Sequence, residues 1–282
     1  MNAQINKMLD EFPSFKGPKV NPKTNKCGRA FGLVKVHKKN FPIRLIINTK
    51  DTSTHRLGSY INKLLKKDAN VSEFLRFCVE NSYLAKNAIS RVKLDPTDKL
   101  YSLDVESMYT NIPVDNVIKF LEEYLVIFND HTGNKKSFII RAIGICLSVT
   151  IFKFNGKFYA QKNGLAMGNP LSPVIANIFM CQIDKLQNFD IRPKIMLRYL
   201  DDYFVISKLT IRQMSLSINK INNSFPTIKL TTEKEQDNSL SFLDLKLIKS
   251  EGKIKTRIFR KTTCKNFLLN FNSYCFWVEI IY

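Results

Sequence analysis

Residues 195–207, IMLRYLDDYFVIS, set two apolar, β-prone runs on either side of adjacent carboxylates, Asp201 and Asp202. Such runs around turn-tolerant residues read as a hairpin with the aspartates at its tip. Adjacent carboxylates there repel one another unless water or a cation screens them. Taken alone the pair is ordinary turn chemistry, because Asp tolerates turn dihedrals. A divalent ion reverses the electrostatics, since rigidly held hard oxygen ligands suit Mg²⁺.

A second carboxylate, Asp104, ends another alternating strand, Leu100 to Val105, just before a turn and a helix. Open α/β sheets place functional groups at such strand ends, although a lone Asp there also serves as a cap or turn residue. Glu106 and Asp115 fall at helix starts, where an acidic side chain has a structural use. A third element is the loop QKNGLAMGNPLSP, residues 161–173, whose glycines let backbone approach a flat or charged ligand ahead of a helix start. No G-K-[ST] follows, so this is not a P-loop.

Around these segments the periodicities alternate. Phe31 to Asn48 reads as two strands about a basic turn, with Lys38, Lys39 and Asn40 in the turn. Residues 57–90 have helical spacing through Ile61, Leu64 and Leu65, then Phe74, Leu75, Cys78 and Val79. Pro113 opens a helix through Val117, Phe120, Leu121 and Tyr124, and Ser137 to Thr150 forms an apolar one. Phe152-Lys153-Phe154 and Lys157-Phe158-Tyr159, joined by Asn155-Gly156, form a hairpin signal. Ser172 and Pro173 suit the cap and first turn of a helix whose stripe is Leu171, Ile175, Phe179, Ile183 and Leu186. Residues 1–30 are polar, Lys-rich and read as irregular.

Composition narrows the partner. The chain has 44 basic and 24 acidic residues, a formal charge of +20, which concentrates polyanions and supports phosphate contacts. A/T-rich coding would raise Lys and Asn as well, so charge by itself leaves nucleic acid and coding bias both open. Six scattered cysteines without a C-x-x-C pair argue against zinc and for reduced thiols inside a cell. MNAQINKMLDEF offers no signal peptide, and the longest apolar run, Phe138 to Phe152, is too short and too polar to span a bilayer.

The order Asp104, glycine loop, Tyr199-Leu200-Asp201-Asp202 is that of motifs A, B and C of reverse transcriptases. FGLVKVHK, SLDVESMYTNIP, YAQKNGLAMGNPLSPVIANIFM and RYLDDYFVI are similar to the Penelope-like branch, which is related to telomerase. IKLTTEKE and SLSFLDLKL resemble its motifs D and E, and TRIFRKTTCKNFLLNFNSY the entry to its thumb. The resemblance implies an α+β right-hand polymerase, with fingers over residues 31–95 and a palm over 96–228. Motifs D and E would occupy 229–250 and a truncated thumb 251–282, because Phe276 to Tyr282 departs from the family's helical continuation.

It further implies RNA-directed DNA synthesis from a DNA primer on an RNA or DNA template, using deoxynucleoside triphosphates. Two Mg²⁺ ions, with Mn²⁺ as a substitute, would be held by Asp104, Asp201, Asp202 and the Val105 backbone. By the same similarity Lys35, Lys38 and Arg44 face the triphosphate, although both lysines also suit a solvated turn. Tyr109 is a steric gate against the ribose 2′-hydroxyl, and Gln161, Gly164, Met167 and Gly168 shape the nucleotide and template pocket. Lys229 or Lys234 donates a proton to pyrophosphate, and Phe242 and Leu243 grip the primer. Asn169 stands where relatives often have Ser. A nuclear location follows from the resemblance. Another palm-family polymerase, or a non-enzymatic nucleic-acid-binding remnant, are the alternatives; Tyr109 argues against an RNA-synthesising enzyme.

Overall fold

The computed structural model describes residues 1–260 apart from 22–25, 37–39, 68–70, 72–74, 125–133, 149 and 186–190. The expected thumb entry beyond 260, Lys38, Phe74 and Leu186 therefore lie outside the described residues.

One four-stranded antiparallel sheet, in the order β6-β7-β3-β8, carries the acidic motifs. Its strands are β3 (Lys99–Val105), β6 (Ile195–Tyr199), β7 (Asp202–Ser207) and β8 (Leu230–Lys234). Successive side chains on a strand point to opposite faces, and here both faces are covered. Tyr101, Leu103, Val105, Tyr203 and Val205 join one apolar cluster with helices α5 (Val114–Tyr124), α6 (Asn134–Leu147), α7 (Ser172–Lys185) and α8 (Ile211–Ser224). Leu100, Leu197, Phe204 and Ile206 face a second cluster, built with helix α3 (Ser82–Ser90) and strands β9 (Ser239–Phe242), β10 (Leu245–Ser250) and β11 (Lys253–Ile258). Each fully buried Leu, Ile or Phe adds about 1.5–3 kcal/mol relative to exposure, so this sandwich is the main anchor of the fold.

A second sheet runs β2-β1-β4-β5. Strands β1 (Gly28–Val34) and β2 (Ile43–Asn48) form the expected hairpin, as do β4 (Thr150–Phe154) and β5 (Lys157–Gln161) around Asn155 and Gly156. The two hairpins join through a short parallel pairing, Gly28 with Phe152 and Arg29 with Lys153.

That pairing places residues 150–161 in the sheet of β1 and β2 rather than in the sheet that carries the acidic motifs. Strand β8 pairs with β3 from Leu230 to Lys234, so the palm sheet continues past 228. The line at 251 likewise divides the β10–β11 hairpin.

Residues 1–30 are not irregular throughout. Helix α1 (Asn2–Glu11) buries Ile5, Met8 and Leu9, a one-face triplet too short to stand out in polar text. Phe15 stacks on Phe138 of α6 at 4.6 Å, and Asn6 bonds both the N–H and the carbonyl of Val20. Packing, rather than propensity, makes this helix.

The helical spacing of 57–90 resolves into α2 (Ser53–Lys66) and α3, while Cys78 and Val79 run extended beside β6. Helix α6 ends at Leu147, and Thr150 already belongs to β4. Ser172 does not cap α7 with its side chain; its hydroxyl donates to the Ala166 carbonyl at 2.7 Å. The buried Asn169 takes over that end of the loop, accepting the Leu171 N–H at 2.9 Å and donating to the Cys146 carbonyl.

Candidate active site

Antiparallel register brings the acidic motifs to one end of the palm sheet. Asp104 lies opposite Asp202, and the Val105 N–H donates to the Asp201 carbonyl at 3.0 Å. Leu200, at φ 53, makes the left-handed step that turns β6 into β7. A branched side chain adopts that conformation only where surrounding contacts hold it.

Burial, and after it the like charge of Asp104, raise the Asp201 carboxyl above the ordinary carboxylate range, while a hydrogen bond to its own backbone, then Arg44 and Lys35, pull it back. Arg44, on β2, and Lys35, just after β1, thus act on Asp201 from the other hairpin. Tyr109, on the short helix α4 (Met108–Asn111), is half-buried beside them. Burial and then the Asp201 charge push its hydroxyl up to about 12, so it stays protonated.

The glycine loop closes the other side. Leu165 donates its N–H to the Tyr109 carbonyl at 2.6 Å, and Ile47 of β2 donates to the Met167 carbonyl at 2.7 Å. The Thr49 hydroxyl donates to the Gly168 carbonyl at 2.8 Å. Both glycines are required by space as well as conformation. At Gly164 (φ 72) a Cβ would lie 2.5 Å from the Thr110 carbonyl oxygen, and at Gly168 (φ 111) 2.1 Å from that of Ile47. The loop thus joins α4 to strand β2 through backbone contacts that any side chain at Gly164 or Gly168 would block. Gln161 ends β5, and its amide donates to the Asn163 carbonyl, bracing the approach to the loop.

The two candidate lysines separate. Lys229 lies at the Asp104 end of the sheet, its carbonyl accepting the Glu106 N–H and its ammonium 3.1 Å from the Glu106 carboxylate. Lys234 pairs with Tyr101, five residues along β8 and so about 16 Å away at the usual strand rise.

Asp202 lines a cavity of about 500 Å³ together with Tyr199, Phe242, Leu243, Asp244 and Phe259. Phe242 is itself buried against Phe204, with ring centroids 5.7 Å apart, so it supports the cavity wall. Leu243, at φ 54, forms the turn into β10. Asp244 accepts a hydrogen bond from the Ser82 hydroxyl, a bracing contact.

Among the described residues no three Asp, Glu, His or Cys side chains form a ready-made metal cluster. The donor set still suits a hard divalent ion. Asp104 and Asp201 repel each other in a desolvated setting, and a cation relieves that repulsion. Asp202, opposite Asp104 in the sheet, faces the cavity beside this pair.

Beneath the turn lies a polar network that the motif reading missed. Arg198 is fully buried, with its guanidinium 2.7 Å from the equally buried Asp184, and Tyr203 donates to the same carboxylate at 2.8 Å. The available signal was a lone charge inside each of two apolar patterns, Arg198 in β6 and Asp184 in α7.

Residues 36–246 match the family described as reverse transcriptase (RNA-dependent DNA polymerase). No curated protein matches the chain in sequence. Among solved structures, apo telomerase from Candida tropicalis is similar over 90% of this chain and 53% of its own, at 12% identity and TM-score 0.62. Telomerase from Candida albicans, in complex with a TWJ fragment of telomeric RNA, is similar over 90% of this chain and 50% of its own, at 14% identity and TM-score 0.58. The likeness is one of fold, and the chain spans about half the length of these telomerases. No helix of the described residues is long and apolar enough to cross a membrane. With its mixed α/β palm and the matched span covering most of its length, the chain belongs to the reverse transcriptase (RNA-dependent DNA polymerase) family.

Proposed function

We propose that this chain is the polymerase of a Penelope-like retroelement, extending a DNA primer with deoxynucleotides on an RNA or DNA template. The observation that carries the reading is the convergence of Asp104 and Asp201 beside Arg44 and Tyr109, from three separate stretches of sequence. The Penelope-like assignment rests on FGLVKVHK, SLDVESMYTNIP and RYLDDYFVI. An RNA partner is supported by the charge of +20 and by the RNA-bound telomerase of the same fold.

Asp104, Asp201 and the Val105 backbone would hold divalent ions, Mg²⁺ or Mn²⁺, with Asp202 alongside. When bound, a pair of such ions activates a primer 3′-hydroxyl and neutralises the triphosphate and departing pyrophosphate. Arg44 and Lys35 orient the triphosphate by charge from the fingers side. The protonated Tyr109 packs under the sugar and excludes a 2′-hydroxyl by bulk. In this reading Lys229 rather than Lys234 gives a proton from its ammonium to pyrophosphate, releasing Glu106 as it does so; its ion pair with Glu106, next to motif A, supports the choice. The cavity between Asp202 and Leu243 takes the primer end. By the same resemblance, the protein works in the nucleus.

Primer extension on RNA and DNA templates, with wild type and Asp201→Ala side by side, tests this reading. Mg²⁺-dependent product from wild type alone is the expected result. Equal product from both proteins would remove Asp201, and with it the mechanism.

A further inference from the structure

Arg198 is the largest fully buried side chain among the described residues, and every arm of its guanidinium is engaged. Nε donates to both oxygens of Asp184, at 3.2 and 3.1 Å. Nη2 donates to Asp184 at 2.7 Å and to the Asn177 carbonyl at 3.2 Å. Nη1 donates to the Asn177 side-chain oxygen at 2.6 Å and to the Leu200 carbonyl at 3.2 Å.

A structural need alone does not call for this arrangement, since well-packed apolar residues usually replace a buried ion pair without loss of stability. What an apolar side chain cannot do is reach the Leu200 carbonyl. That carbonyl belongs to the peptide leading into Asp201, at the strained residue of the turn. The next carbonyl, of Asp201 itself, is held by the Val105 N–H at 3.0 Å. The backbone is thus clamped on both sides of the Asp201 side chain: by Arg198, anchored on α7, and by β3, which bears Asp104.

We propose that Arg198 is a positioning residue that locks the Leu200–Asp201 peptide. The lock holds the Asp201 carboxylate toward Asp104 against their mutual repulsion, before any cation arrives. The repulsion acts to swing Asp201 away, and the left-handed turn would relax with it. The inference rests on the proposed polymerase reading. It adds that the approach of the two carboxylates is built from below the sheet, by a side chain that touches no substrate.

Two variants test it. In Arg198→Met/Asp184→Leu/Tyr203→Phe the network becomes apolar, so the fold has no orphaned charge or hydroxyl to unpack it. Arg198→Lys keeps the charge beside Asp184, but a compact ammonium lacks the planar fork that spans to Leu200. For both we expect a melting temperature in EDTA close to wild type. We also expect single-nucleotide kcat lowered on the order of 100-fold, with KM for the deoxynucleotide little changed. A second readout needs no catalysis. The rise in melting temperature that MgCl₂ alone gives wild type should shrink in both variants. A folded variant with wild-type kcat and wild-type Mg²⁺ response overturns the proposal, as does activity that falls only in step with stability. A wild type that binds Mg²⁺ but extends no primer would sink the polymerase reading instead, and leave the Mg²⁺ comparison to decide the role of Arg198.

Discussion

Asp201 is held where its charge is unwelcome in the absence of a cation. Because burial and Asp104 raise its folded pKa above the unfolded value near 3.9, the ionised form destabilises the fold at neutral pH. That penalty is present above the folded pKa and is relieved as pH falls through it toward the unfolded value. Asp201→Asn should therefore melt above wild type in EDTA at pH 7, with the gap closing on acidification, while primer extension is lost. Thermal melts across pH check this; a gap that widens on acidification would contradict the assigned repulsion. The Tyr109 hydroxyl stays protonated, so the proposed gate would act through the bulk of the ring. Tyr109→Ala should raise ribonucleotide use relative to deoxynucleotide use about tenfold or more, roughly 1.4 kcal/mol of discrimination, and Tyr109→Phe should leave the ratio intact. Competition incorporation assays measure it, and an unchanged ratio in Tyr109→Ala removes the gate.

At the scale of elements, the 164–168 loop shows how backbone approach replaces side-chain chemistry. Its two glycines meet carbonyls of α4 and β2, so the loop couples a helix beside the acidic motifs to a strand of the other sheet. Gly156, in the β4–β5 turn, shares the positive φ but would meet nothing within 4 Å. Gly156→Ala should cost only its conformational strain, about 1–2 kcal/mol. Gly168→Ala adds a clash with the Ile47 carbonyl and should cost more, with loss of activity as β2 shifts. Denaturant unfolding of the two variants gives the comparison, and equal losses would show that the loop tolerates separation from β2. Helix α1 carries another lesson at this scale. Its Ile5, Met8 and Leu9 repeat at helical spacing, yet so short a stripe cannot be told from chance without the surface of α6 that receives it.

For the molecule as a whole, the excess of basic residues governs association with a polyanion. If a primer–template engages six or more phosphates, binding should weaken about 10³-fold or more between 50 and 200 mM salt. Fluorescence anisotropy against salt reads the slope, and a flat response would mean that charge does not carry the binding. The sequence by itself determined the strands β3, β6 and β7, the β1–β2 and β4–β5 hairpins and helices α5, α6 and α7. Alternation, helical spacing and Asn-Gly turns are short-range properties written within a few residues. The ordered motifs also named Asp104, the glycine loop and the Asp201–Asp202 turn, because the residue types themselves carry the chemistry. Tertiary structure decided the parallel joining of β1 to β4, the approach of Asp104 to the Asp201–Asp202 turn, and the place of Lys229 beside Glu106 at that end of the sheet. It also decided that a lone Arg198 in one apolar strand meets a lone Asp184 in one apolar helix. Such pairings depend on which distant surfaces are buried together and on closing long loops between them, and no local pattern encodes that choice.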